Sequence, residues 1–447
     1  MYGLLSRTRV VVAVAAATGL ATLAGFGTSS AAASTSASSA AVKTSSCGTK
    51  PGVKATGTPI VLGSIVTDQP GTSFTDIPDM ANAYFTCVND NGGINGHPIH
   101  YYIETEQTNP AQIAADAKQL VQTDHVLGIV GNTSIIECSV DSSYWKSLGY
   151  YVIASGIAPE CYGTPNFADV NMGPRYSSDG AVQYALAKGI KKIVFDQSNV
   201  PGTGYIAAGP NALAAKDHAT IVQLTEDVPI SNADSVAIKE VDDAGPDGAV
   251  ILNFTPPDAL VILQAAQSLG IVDHVKMWGC STPCNTDFLA QSLGKTWNHK
   301  LYVNAELTPP DSTNSATMKL YKAILAQYGS SGPDKVTGGI GSFSQMGFTE
   351  AEIAVHALEG IKGAYTAKSV NAAFKGVKDY ETGMLCQKWT YGNYPTHIAN
   401  NEDYTVTVDN GKMVTAQGCT QISAVDPQIA GYRHHAGLAP LDPTSNS

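Results

Sequence analysis

Apolar and polar positions follow a repeating order along this chain: a short apolar run, a polar turn, then a helical stretch. The clearest instance spans 127–161. An apolar run at 127–130 stops at Gly131 and Asn132, a helix-like stretch follows, and a second apolar run at 151–154 stops at Ser155 and Gly156. Strand, turn, helix, strand, turn predicts two parallel strands whose turns lie side by side at one end of a sheet. Open α/β sheets bind ligands at that end. The first turn also opens a helix, so free N–H groups near Thr133 and Ser134 are expected to suit an anion.

The same order predicts further strands at 60–65, 99–105, 193–196, 220–224, 249–253, 275–278 and 302–305. Helices are expected at 78–88, 110–122, 178–188, 204–218, 233–243, 257–269, 314–328 and 347–362, and a hairpin-like end at 386–414. Such alternation means parallel sheets covered by helices. Segments 167–175 and 303–310 lack a period or join the elements awkwardly, so both are candidate crossings between two lobes. Two crossings imply lobes of discontinuous segments with a cleft between them.

The ends fall outside this pattern. Arg7 and Arg9, an apolar stretch at 10–26 and Ala31-Ala32-Ala33 read as an export signal over 1–33. Residues 34–57 read as a flexible leader and 420–447 as a tail. About 360 residues remain, room for two domains at roughly 100–200 residues each. The formal net charge is −12 with no basic cluster, which argues against a nucleic-acid partner.

All eight cysteines follow the signal, so an oxidising compartment and disulfides are expected. Neighbouring turns would pair Cys138 with Cys161 at the cleft rim. Cys280 and Cys284 suit a local loop, Cys386 and Cys419 the C-terminal strands, and Cys47 and Cys87 are left by elimination. Zinc at Cys280 and Cys284 lacks further ligands, so neither metal nor cofactor is expected. Gly202-x-Gly204 with Gly209 has the wrong spacing for a dinucleotide, and neither a nucleophile elbow nor a phosphate loop occurs. His97, His125 and His218 stand alone in turns and helix ends. An enzyme is not expected.

Several stretches carry a resemblance: IVLGSIVTDQPGTSF, VNDNGGINGHPIHYYIETEQTNPAQIAADAKQLV, the 127–161 segment, KKIVFDQSNVPGTGY and PPDALVILQAAQSLGI. From about residue 58 to 410 the chain resembles the branched-chain amino-acid type of periplasmic binding protein. The resemblance implies a type I fold, with two Rossmann-like α/β lobes of parallel sheets joined by a three-crossing hinge. Lobe 1 would take 58–174 and 304–381, and lobe 2 would take 175–303 and 382–415. It implies a solute carboxylate held at Gly131-Asn132-Thr133-Ser134, with the Ser134 hydroxyl as donor. It also implies backbone contacts from Ser155, Gly156 and Ile157, and an aromatic contact from Phe74. The second lobe departs from the family. Pro201 stands where an aromatic is usual, and the loop 279–284 lacks the acid that would hold an ammonium. Phe254 and Thr255 are candidate contacts there, and Asp258 is a candidate replacement acid. The implied protein is a monomer that delivers a small polar solute (an amino acid, an amide or a related carboxylate) to an ABC permease. The rival is a sensor of the same fold feeding a signalling partner. Leu23-Ala24-Gly25 is followed by Phe26, not by a lipid-accepting cysteine.

Overall fold

A computed structural model describes residues 47–391 and 400–422. The expected signal, most of the leader and most of the tail lie outside the described residues. Six strands build the first sheet: β1 (Ile60–Gln69), β2 (Thr72–Ser73), β3 (Ile99–Glu106), β4 (Gly128–Asn132), β5 (Val152–Ala154) and β6 (Phe167–Asp169). β1 pairs in parallel with β3 on one side and β4 on the other, and β5 and β6 extend the β4 side. The two-residue β2 folds back antiparallel on the end of β1.

The second sheet holds β7 (Lys192–Ser198), β8 (Thr220–Glu226), β9 (Ala249–Asn253), β10 (Met277–Cys280), β11 (Leu301–Ala305), β12 (Glu402–Asp409) and β13 (Lys412–Gln421). Their order is β13-β12-β11-β10-β9-β7-β8, with β12 and β13 antiparallel and the rest parallel. Strands such as β4 and β9 are buried along their whole length. That burial is why they read as unbroken apolar runs and not as alternating ones.

Helices cover both sheets, and several start where the sequence marks a cap. Asn109 accepts from the Ala111 and Gln112 N–H groups ahead of Pro110–Gln122. Asp76–Asp90 and Ser342–Glu359 pack closely over the first sheet. Gly347 makes that approach possible, because a Cβ there would overlap the Ile77 carbonyl oxygen. The helix Gly173–Ala187 starts earlier than its pattern suggests. Gly173 takes a positive φ of 78° and Pro174 then fixes the first turn. The helix expected over 204–218 shrinks to Ala208–Lys216. Ala367–Gly376, which the sequence reading passed over, opens on a capping box between Thr366 and Ser369 and buries Val370 and Phe374.

The chain passes between the sheets after β6, after β11, and again between Tyr391 and β12. Met384, Leu385, Trp389 and Tyr391 pack into the first lobe's core, so this last passage follows Tyr391 and not residue 381. Asn400 laces the passages together: its Nδ2 donates to the Glu306 carbonyl (2.9 Å) and the Val170 carbonyl (3.4 Å). The disulfides are Cys47–Cys87, Cys138–Cys161, Cys280–Cys284 and Cys386–Cys419. Cys280 and Cys284 therefore offer zinc no thiolate. The first bridge corrects the reading of 47–57 as free leader. Cys47 is buried against the helix Asp76–Asp90, and the Lys50 and Ala55 N–H groups donate to the Asn91 and Asn89 carbonyls. At the other end β13 runs to Gln421 and Ile422 is buried, so the expected tail cannot start at 420.

Two outcomes follow from this packing. Gly347→Ala should force the two helices apart and lower stability by roughly 2 kcal/mol or more, which a urea titration reads directly. Burial also pushes the Glu137 and Asp169 carboxyls up to about 8. The folded state therefore holds protons that the unfolded chain releases near pH 4, and stability is lost as pH rises through about 8. The thermal midpoint should fall by roughly 5 °C or more between about pH 5 and 8.5, at about 2 °C per kcal/mol. Glu137→Gln should flatten that slope; an unchanged slope would contradict the assignment.

Candidate functional site

The carboxyl ends of the parallel strands of both sheets face one another across a cavity with about 700 Å³ of empty space, its open mouth included. This is the place where small-molecule sites form in α/β folds. Its walls are mostly apolar: Phe74, Ile77, Ile135, Ile157, Phe343 and Met346 from the first lobe, Val200, Ile206 and Phe254 from the second. Phe74 and Phe343 meet edge to face at 5.3 Å between ring centroids. The lobes touch over the mouth. Ile135, Ile157 and Val200 form one apolar cluster with Phe74, Ile136 and Val228. The Thr255 hydroxyl donates to the Gly71 carbonyl (3.2 Å), and the Tyr205 hydroxyl donates to the Ile157 carbonyl.

Of the residues singled out in the sequence, Phe74, Thr133, Ser155, Ile157, Phe254 and Thr255 line this cavity; Asn132, Ser134, Gly156 and Asp258 do not. Asn132 Oδ1 accepts from the Ile65 N–H (2.9 Å) and braces β4 to β1. Ser134 Oγ donates to Glu106 Oε1 (2.9 Å), a carboxylate that also takes the Thr67 hydroxyl. The Gly156 N–H donates to Asp169 Oδ1 (2.7 Å). Asp258 accepts from the Ile230 N–H (2.8 Å) and the Thr255 hydroxyl, and lines a separate recess at the mouth.

At the first turn two of the backbone N–H groups are taken up inside the lobe. β4 continues to pair with β1 beyond Asn132, so the Thr133 N–H donates to the Ile65 carbonyl (3.0 Å). The Ile135 N–H donates to Thr67 Oγ1 (3.0 Å). The next helix begins only at Glu137, itself a buried acid. The second turn is likewise saturated. The Ser155 N–H donates to the Asn132 carbonyl (3.0 Å), and its hydroxyl donates to the buried Glu350. Thr133 Oγ1 is the exception: it is buried, faces the cavity and has no hydrogen-bond partner.

Sequence reasoning missed the one acid among the described residues that line the cavity. Glu306 follows β11, in the 303–310 segment expected to cross between lobes, and is 2% exposed. Its Oε2 accepts from the Met172 N–H (2.7 Å). Burial pushes it up to about 7, against the pull of that N–H and of the Thr282 and Ser177 hydroxyls. An acid among residues joining a buried strand to a crossing was the available signal. Thr72, Asn171, Ser177, Ser198, Thr203, Asn253 and Thr282 add to the polar lining. The sequence reading singled out none of them as a contact.

A family model described as periplasmic binding protein matches residues 59–412. The chain belongs to that family. Among curated proteins no match is found. Solved periplasmic binding proteins share the fold at low identity. A fatty acid ABC transporter substrate-binding protein from Thermomonospora curvata aligns with a TM-score of 0.69 and 16% identity, over 86% of this chain and 96% of that one. A branched-chain amino acid ABC transporter protein from Thermus thermophilus with bound valine gives 0.69 and 14%, over 86% and 100%. An R. palustris solute binding protein in complex with benzoate gives 0.67 and 12%, over 82% and 99%. The resemblance to the branched-chain amino-acid type and the two-lobed α/β fold are thus borne out.

The cavity wall separates hydroxyls bonded to buried acids from the unpaired Thr133 hydroxyl. Ser134→Ala and Ser155→Ala each strand a buried carboxylate and should cost about 1–3 kcal/mol of stability in chemical denaturation. Thr133→Val loses no internal bond, so it should leave stability within roughly 0.5 kcal/mol. Losses of the same size in all three would contradict this division.

Proposed function

We propose that this periplasmic binding protein captures a small solute with an apolar body between its lobes and hands it to an ABC permease, with no catalytic role. One observation carries the reading. The cavity draws apolar walls from both lobes, at the strand ends of both sheets, with few polar groups converging on it. Such a site gains its affinity from buried apolar area and its selectivity from the polar groups. Amino acids, amides and related compounds of valine or phenylethyl size fit the wall chemistry. The solute meets the first lobe at Phe74, Thr133 and Ser155. The second lobe then closes with Phe254, Thr255 and Val200, and the closed form is what the permease meets. Export follows from the family and accords with the disulfides in both lobes.

A thermal-shift screen of the purified protein against amino acids, amides, amines and small carboxylates tests this. A solute at a hundredfold its dissociation constant should add about 2.7 kcal/mol of stability and raise the midpoint. A Phe254→Asp variant should lose the response. No response to any of these solutes would overturn the reading.

A further inference from the structure

We propose that the solute recognised in this cavity is an organic ammonium ion with an apolar body, held at its charge by Glu306, and that it needs no carboxylate. The inference rests on the solute-binding reading above and fixes the class of solute.

Three features of the lining point the same way. Among the described residues of the lining Glu306 is the only ionisable side chain, with no Lys, Arg or His beside it. Arg175, on the helix that opens beside Met172, turns its Nε and Nη2 to the Tyr205 carbonyl (3.0 and 2.6 Å). Glu306 also acts electrostatically on Asp403 and Tyr162, neither of which brings a positive charge. An anionic solute would enter this site without a counter-charge.

Apart from the Thr133 hydroxyl, the turn donors named below that could replace a counter-charge are engaged elsewhere. In the two first-lobe turns the Thr133, Ile135, Ser155 and Gly156 N–H groups all have internal acceptors. The Ser134 and Ser155 hydroxyls point at the buried acids Glu106 and Glu350. These turns therefore show a solute the neighbourhood of carboxyl groups. The helix Pro256–Ser268 starts at the cavity wall with Pro256 and Pro257, residues with no N–H to offer. Pro174 and Pro283 do the same at two further starts. An anion-binding helix end needs those N–H groups.

The approach is acidic as well. The recess at the mouth shares Thr72, Thr255 and Phe343 with the cavity and contains Asp76 and Asp258, again with no basic residue. Asp68, Asp76, Asp79 and Asp334 lie close enough that Asp79 is pushed up to about 7, burial being the largest cause. A cation is drawn towards such a mouth and an anion repelled. Inside, the faces of Phe74, Phe254 and Phe343 suit both an apolar body and a positive charge.

Calorimetric titration of the wild-type protein with matched probes tests the proposal: 2-phenylethylamine, 3-methylbutylamine, 3-phenylpropionate, 4-methylpentanoate and 2-phenylethanol. At least one amine should bind more tightly than its carboxylate partner by roughly tenfold or more, the effect of one charge-assisted hydrogen bond. Glu306→Gln should erase that preference. The wild-type comparison stands even if the variant folds poorly. Carboxylates equal to or tighter than the amines would overturn the proposal and leave the solute-binding reading intact. So would a response to other solutes with none to either amine. No binding by any solute would overturn both.

Discussion

The structure turns on one buried carboxyl group at the junction of the lobes. Glu306 accepts the Met172 N–H with its side chain, while its own carbonyl accepts from Asn400. Met172, Glu306 and Asn400 belong to three different passages of the chain between the sheets. One residue thus ties the crossings to each other and also presents an acid to the cavity. Taking a carboxylate out of water costs several kcal/mol unless something compensates. The bond from Met172 and the nearby Ser177 and Thr282 hydroxyls offset part of that cost, while burial still holds the carboxyl up at about 7.

The same constraint explains why the first-lobe turns are so fully satisfied. Buried acids sit under them in turn: Glu106 behind Thr67 and Ser134, Glu350 behind Ser155, Asp169 behind Gly156. Each acid takes a hydroxyl or an N–H from a turn and so fixes its shape without a bound molecule. Such turns are rigid walls, with little donor capacity left over. In the proposed reading this is preorganisation: affinity is not reduced by having to order the loops on binding.

Much of the fold was legible because its strands are buried on both faces and its helices begin at marked caps. The 249–253 run of Ala, Val, Ile, Leu and Asn is β9 to the residue, and Pro110 after Asn109 marks the helix start without ambiguity. Neighbouring turns were enough to place the Cys138–Cys161 bridge. What sequence could not show was which donors are free. Ser134 and Thr133 look equivalent in a turn, yet a carboxylate distant in sequence, Glu106, takes one hydroxyl and leaves the other. Glu306 was hidden for a related reason. Its importance lies in its neighbours, Met172 and Asn400, which only the closed chain brings together.

Charge at a hinge has a consequence that charge on a lobe does not. A counter-ion docked on one lobe stabilises open and closed forms about equally, so it adds affinity without driving closure. Glu306 contacts the crossings themselves, and its environment is dry when Val200, Ile157 and Phe74 meet over the mouth. In that dry environment a bare carboxylate is costly, whereas one paired with an ammonium is not. A cation at Glu306 would therefore favour the closed arrangement over the open one by the difference between those two situations. In the proposed reading, fold, engaged turns and hinge acid together would make the sign of the solute's charge a condition for closing.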